Sequence, residues 1–394
     1  MKIKQYSTID SVSACIVQCM RLLLCVEYCY GIFRFRLGGR STNANYLRIK
    51  FISVAVTLIW LIIYFSGAIP YVKYIFVDAI SNIEFISWVI VGGQYAGTIL
   101  LLILWQAEKN QKVIEMFAGI DISLHAGINQ NFYNTAKLEC KKLFILFVLF
   151  CVVSILVYVY SFEQALTGYI VFFTVFFEMK IEIIVFCNFL AMIEQRLILI
   201  NDYLSKITDR KSQMFVQNPV RYVDVNFIGH ISTNNFRIRD LVSLYCKVGK
   251  LHKLINNMFN YLMLTTLANA FFIVLSDTWT SLYYFKLDHN SLISLPMLLG
   301  ILFEFFFVIL FSYYCEKVLN ARNDIKHSLY EITNNYNLPL SMRKQAGVFW
   351  DLLDVWPMTI YVFDMFEVNL KLILKFISIS TTYAIVVIQI NHVC

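Results

Sequence analysis

Tyr169–Met192 reads YIVFFTVFFEMKIEIIVFCNFLAM. At 1.5 Å per residue, such a stretch measures about 36 Å as a helix, enough to cross the ~30 Å hydrocarbon core of a bilayer. It nevertheless carries Glu178, Lys180 and Glu182. Each charge at the bilayer centre costs about 2.5–3.5 kcal/mol on insertion scales, so the segment spans only if protein encloses those charges. Glu178 and Glu182 are four apart and share a helix face, while Lys180 points away from both. Another apolar stretch, Leu292–Cys315, carries Glu304 at similar depth. Lys180 meets Glu304 if these two helices are neighbours. The stretch therefore predicts a bundle of spans with charge buried inside it.

The rest of the chain agrees. Of 394 residues, 59% are hydrophobic and only 15% charged, with 34 Phe and 24 Tyr and a mean hydropathy of +0.64. A soluble core cannot hide that much apolar surface, whereas lipid and its interfaces accommodate it. The fold class is an all-α polytopic membrane protein. Seven apolar segments are long enough to cross: Phe51–Ile69, Phe85–Trp105, Leu143–Tyr160, Tyr169–Met192, Met258–Leu275, Leu292–Cys315 and Leu370–Ile390. Ala14–Tyr30 is interrupted by Gln18, Arg21 and Glu27, and reads as an amphipathic or re-entrant helix. Lys2 and Lys4 precede no small-residue cleavage site, so no cleavable signal is expected.

Orientation follows from Lys and Arg. Residues 1–50, 106–142, 193–257 and 316–369 hold twenty-eight of them, while the alternate connections hold two, Lys73 and Lys286. The positive-inside rule puts the N-terminus in the cytoplasm, and seven spans put the C-terminus outside. A G-protein-coupled receptor would have the opposite orientation. The net charge of +7 lines cytoplasmic loops beside anionic lipid and implies no nucleic-acid partner.

The cytoplasmic connections carry helical stripes. Ile238, Leu241, Tyr245, Val248, Leu251, Ile255 and Met258 recur every three or four residues. Ile193, Leu197, Ile200, Leu204 and Ile207 extend the fourth span, and Val318, Ile325, Leu329 and Ile332 make a shorter stripe between the last two spans. A shorter helix, Met342–Val355, follows the break at Leu338-Pro339. These stripes predict a helical bundle below the membrane, closed within one subunit or completed between subunits. The layout is then 1–50, a cytoplasmic N-terminal segment; 51–192, spans one to four; 193–257, a cytoplasmic extension; 258–315, spans five and six; 316–369, cytoplasmic helices; and 370–394, the last span with a short outer tail.

In that last span, Ser378, Thr382, Ile385, Val386 and Gln389 share one face. Polar groups facing lipid are costly, so the face meets protein or water. Interhelical hydrogen bonding and a water-filled pore both satisfy it.

The same stretch carries a resemblance. Thr382-Tyr383, then Ala384 to Ile388, then Gln389 resembles the tail signature of the insect gustatory receptor family, and Met358–Asn369 is similar to that family's approach to its last span. Span count, orientation and length agree along the whole chain. Ile390 stands where the family usually has Phe, and Ala384 stands where sugar-type members carry Glu. The chain thus resembles the divergent, bitter-type members. The resemblance implies a tetrameric, ligand-gated, non-selective cation channel in the plasma membrane of chemosensory neurons. Its partners would be a small-molecule tastant, other receptor subunits in a homo- or heterotetramer, and membrane lipid. The pore would be lined by Ser378, Thr382, Ile385, Val386, Gln389 and Ile390, the amide ring of Gln389 coordinating cations weakly and the aliphatic pair gating by dewetting.

A ligand pocket between spans two to six is expected from the buried charges and from aromatics at similar depth. Its candidates are Trp88, Gln94, Tyr95, Tyr160, Glu178, Glu304 and Phe306. The charges read equally well as structural ion pairs. Gly93 and Gly97 carry a GxxxG spacing suited to close helix packing.

No enzyme is indicated: the six histidines are scattered, and neither a phosphate-cradling loop nor a nucleophile elbow occurs. No cofactor is implied. A coupled transporter would use intramembrane Glu and Lys, but would bring repeated halves with matching broken helices, which are absent from the sequence. An insect odorant receptor-like channel is the nearer alternative. Ten cysteines include the i,i+4 pairs Cys15/Cys19 and Cys25/Cys29. No histidine lies near them, so packing or lipidation is expected there and not a metal.

Overall fold

Long apolar segments that run into amphipathic stripes without a breaker between them form single helices. The computed structural model describes residues 9–34, 43–75, 78–101, 107–124, 126, 130–161, 166–208, 236–287 and 291–393. A bent pair, α1 (Ile9–Cys19) and α2 (Arg21–Cys29), opens the chain, with 71° between its two halves. Next come α3 (Asn43–Ile75), α4 (Asp78–Leu101), α5 (Ala107–Ser123), α6 (Gln130–Ser161), α7 (Leu166–Thr208), α8 (Phe236–Leu287), α9 (Ser291–Asn334) and α10 (Leu340–Val355). A hairpin of β1 (Ile360–Val362) and β2 (Phe366–Val368) leads into α11 (Leu370–Val393).

Every predicted span falls in one of these helices, the second as far as Leu101. Among the described residues, four helices (α6, α7, α8 and α9) are long and apolar enough to cross a membrane, or five if the α1–α2 pair crosses as one broken span. Shorter apolar stretches, Lys50–Ser66 and Trp88–Leu101, belong to α3 and α4.

At the centre stands α7. In its apolar stretch 78% of residues are buried, against 28% in α6, and it packs against α3, α4, α6, α8 and α9. Lipid covers an apolar helix face as well as protein does, but α7 carries charges and is enclosed by protein. At 43, 52 and 44 residues, α7, α8 and α9 measure about 65 to 78 Å at 1.5 Å per residue, more than twice the hydrocarbon thickness. Their extensions and α10 form one bundle. The stripe residues Ile238 to Met258, Ile193 to Ile207 and Val318 to Ile332 are buried within a single chain, together with Ala346, Phe349 and Leu353 of α10. The choice the sequence left open is thereby settled for these positions.

The hairpin corrects the all-α reading. Ile360 pairs with Val368 and Val362 with Phe366, and buried Ile360, Val362 and Val368 alternate with more exposed neighbours. Its turn has φ of 48° at Phe363 and 57° at Asp364, and the Met365 N–H donates to the Val362 carbonyl at 2.9 Å. Positive φ at both central positions suits Gly, Asn or Asp, and of the two residues only Asp364 is of that kind, so the sequence signal for the turn is weak. Three-residue strands are also too short to show a period.

Candidate functional site: buried charges around the central helix and the uncovered last helix

Two residues after α2, Gly31 adopts a φ of 81°. The Gly31 N–H donates to the Tyr28 carbonyl and the Ile32 N–H to the Glu27 carbonyl, a Schellman cap that turns the chain back on itself. Arg34 is thereby returned to Glu27 and into the protein. Its Nε donates to both Glu27 oxygens at 3.2 and 3.3 Å, Nη2 to Glu27 Oε1 at 3.1 Å, and Nη1 to Asn110 Oδ1 at 3.4 Å. Nη2 also pairs with Glu182 on α7, and the guanidinium lies 5.7 Å from the Phe259 ring centre. One planar fork thus ties α2, α5, α7 and α8 together, as only arginine can.

Gly31 has no room for a side chain, since a Cβ there would stand 3.0 Å from Val56 Cβ. Gly31→Ala is expected to cost about 1–2 kcal/mol for the left-handed backbone alone. A lowered melting temperature of the solubilised protein checks this, with Gly347→Ala as control because its Cβ would meet nothing within 4 Å.

One turn from Glu182, Glu178 is buried and neither of its oxygens has a hydrogen-bond partner; Glu182 Oε1 also lacks one. Tyr30 and Tyr95 lie within the field of Glu178, and the Tyr95 hydroxyl donates to the Tyr30 carbonyl at 3.4 Å. Three carboxylates here face one guanidinium.

On another face of α7, Lys180 donates to both oxygens of Glu304 at 2.8 and 2.9 Å. Phe176 and Phe307 rings surround the ammonium at 4.5 and 5.1 Å, an apolar setting in which cation–π attraction is strong. The pairing the sequence anticipated is present, because α7 and α9 are neighbours. A third cluster lies past the predicted end of the fourth span. Arg196 donates to Asp121 Oδ2 at 2.7 Å and to the Met192 carbonyl at 2.6 Å, and the Tyr133 hydroxyl donates to Asp121 Oδ2 at 2.9 Å. Burial pushes the Asp121 carboxyl above its ordinary range, while Arg196 and Tyr133 draw it back.

The ligand candidates do not gather at one place. Glu178 and Tyr95 share the first cluster, whereas Glu304 faces Lys180. Phe306 stacks on Phe150 at 5.5 Å. Gln94 donates to Thr266 on α8 at 3.1 Å, and Trp88 lies against Tyr64, whose hydroxyl donates to the Trp88 carbonyl at 2.9 Å. The side chain of Tyr160 lies outside the described residues. Of the GxxxG pair, Gly97 packs against the Tyr261 ring, and a Cβ on Gly93 would meet nothing within 4 Å. Sequence reading missed Glu27, Arg34, Asp121 and Arg196, since each stood in a segment read as cytoplasmic or interfacial. No local signal distinguishes them from solvated charges.

On α11, Leu372 and Phe376 are buried, with Phe376 edge-on to Phe305 of α9 and Tyr383 edge-on to Phe271 of α8. The predicted pore face is uncovered: Ser378, Thr382, Ile385, Val386 and Gln389 are exposed. Much of the remaining helix is exposed too, including Leu374 and Ile379. The Thr382 hydroxyl donates to the Ser378 carbonyl at 2.8 Å, one turn back. The side chain of Ile390 lies outside the described residues.

The described residues thus form an α-helical membrane bundle with a long enclosed central helix, charges sealed inside it and a last helix bare along most of its surface. Two solved structures have a similar fold: the insect olfactory receptor OR5 from Machilis hrabei, at a TM-score of 0.66 and 13% identity, and the same receptor in complex with eugenol, at 0.67 and 14%. Each match covers 96% of this chain and 100% of the other. No curated protein sequence matches the chain significantly. Residues 20–391 match the family described as 7tm Chemosensory receptor, and the chain belongs to that family. It is a membrane chemoreceptor and not an enzyme.

Proposed function

We propose that the chain is a subunit of a ligand-gated, non-selective cation channel of the gustatory branch, opened by a small tastant of the plant-secondary or bitter type. Seven spans run from a cytoplasmic N-terminus to an outer C-terminus. The layout is the one drawn from the sequence: residues 1–50 and 193–257 cytoplasmic, 51–192 and 258–315 spanning, 316–369 cytoplasmic and 370–394 the pore segment. Copies of α11 surround a central pore lined by Ser378, Thr382, Ile385, Val386, Gln389 and Ile390. The observation that carries this reading is the bare polar face of α11 in a protein of a chemoreceptor family. A threonine, a serine and a glutamine at helical spacing are costly against lipid and favourable around water. Ligand contacts are assigned to Trp88, Gln94, Tyr95, Tyr160, Glu178, Glu304 and Phe306.

Excised patches from cells expressing this chain test it. An agonist from a panel of alkaloids and glycosides is expected to evoke current without GTP, and Gln389→Ala to change the relative permeability of monovalent and divalent cations. Agonist current with unchanged permeation would reject α11 as the pore lining. An olfactory reading is supported by the likeness to OR5, whose structure was determined with eugenol. Activation by eugenol-like volatiles with silence to alkaloids and glycosides would favour that branch.

A further inference from the structure

The four N-terminal cysteines look alike in sequence, but the fold separates them. Cys19 is buried, with its thiol toward the Tyr133 carbonyl at 3.5 Å, and Cys15 is half-buried. Cys25 and Cys29 are exposed, and they are the exposed thiols among the described residues. They share one side of α2 because they are four apart, while Leu23, Leu24 and Glu27 form the side turned into the protein. Leu22 and Phe33 are exposed beside them.

Contacts next to Cys29 fix the depth of this face. The Ser53 hydroxyl donates to the Gly31 carbonyl, and the Tyr30 ring lies 5.5 Å from that of Trp60. Ser53 and Trp60 stand in the first two or three turns of the predicted span Phe51–Ile69. The end of α2 is therefore docked within roughly 3 to 14 Å of that span's inner end at 1.5 Å per residue. The neighbouring surface of α3 is bare and apolar: Ile52 and Ile59, one turn either side of the Val56 that Gly31 packs against, are exposed. Exposed thiols beside such a surface, in the cytoplasmic half of the bilayer, have acyl chains as neighbours.

We propose that Cys25 and Cys29 are S-acylated by long-chain fatty acyl groups. A thiolate of α2 attacks the carbonyl carbon of a fatty acyl-coenzyme A thioester; the new C–S bond forms as the old one breaks. Coenzyme A leaves as its thiol, carrying the proton the cysteine gave up, and no redox change occurs. The acyl chains continue the bare apolar surface of α3 into the lipid and hold the bent α1–α2 pair against the membrane. The inference uses the cytoplasmic N-terminus proposed above, because the acyl donor is cytoplasmic, and makes no use of the gating.

The test is acyl exchange on the full chain expressed in insect cells. Free thiols are blocked with N-ethylmaleimide, thioesters are cleaved with neutral hydroxylamine, and the released thiols are tagged with a maleimide-linked polyethylene glycol. Two hydroxylamine-dependent tags are expected on the unmodified sequence, one on Cys25→Ser or Cys29→Ser, and none on the double variant, with Cys15→Ser like the parent. Surface biotinylation of each variant confirms that it folds and is exported. Tags that persist on the exported double variant overturn the proposal. So does an untagged parent chain, whether a second copy or anything else covers the face. An epitope at the N-terminus, probed on the same cells, separates the two readings: absence of tags with the epitope inside rejects acylation alone, and absence with the epitope outside rejects the orientation as well.

Discussion

Arg34→Met is expected to lower the stability of the solubilised receptor by about 3–5 kcal/mol, the usual cost of stripping a buried charge of its partner. The loss arises from what remains. Glu27 and Glu182 lose their shared guanidinium, and Glu178, already without a hydrogen-bond partner, stands one turn away. Adding Glu27→Gln and Glu182→Gln to Arg34→Met is expected to recover more than half of the loss, because neutral amides need no counter-charge. Arg34→Lys is expected to recover little, since an ammonium cannot reach Glu27, Glu182 and Asn110 together as the flat guanidinium does. Melting temperatures of the parent and these three variants decide the matter. An Arg34→Met protein as stable as the parent would mean that the cluster is already relieved by protons.

Lys180 and Glu304 give the second large effect. Lys180→Met or Glu304→Gln alone leaves one unpaired group in a dry site walled by phenylalanines, and each is expected to cost about 3–5 kcal/mol. Lys180→Met combined with Glu304→Leu removes both charges and keeps the volume, and is expected to lie within about 2 kcal/mol of the parent. The cycle therefore shows a coupling of several kcal/mol, read from melting temperatures with surface expression as the check on integrity. Additive single effects would show that the two side chains do not depend on each other in the membrane. If the double variant is stable but unresponsive to agonist, the pair belongs to ligand recognition or gating as well as to packing.

The two clusters differ in how far they could be read in advance. Lys180 and Glu304 announced themselves, because a charge inside a 24-residue apolar run has no solvent to turn to and must find a partner. Arg34 and Glu27 did not. They are seven residues apart across a helix end, and only the left-handed turn at Gly31 folds one onto the other. Arg196 and Asp121 are 75 positions apart and were hidden among charges that normally face water. The candidate ligand residues were chosen by depth and chemistry, and depth alone cannot place Gln94 against Thr266 while Phe306 goes to Phe150. Which side of a span a residue faces depends on helix rotation, and each helix's rotation is set by its neighbours.

By itself, the sequence determined what is periodic or compositional: a helical membrane protein, the helices holding its seven apolar segments, the amphipathic extensions below them, and the tail that resembles a chemoreceptor signature. Those properties are written in hydrophobic spacing, which acts along one chain segment at a time. Only the tertiary structure decided which charges pair, that a single subunit buries the stripes of α7, α8 and α9, that a hairpin precedes α11, and which cysteines of the N-terminal pair of helices remain exposed. The physical reason is the same throughout. Burial in a helix bundle is a property of packed neighbours, and the energetic penalty that selects a partner for a buried charge is settled only when every helix around it is in place.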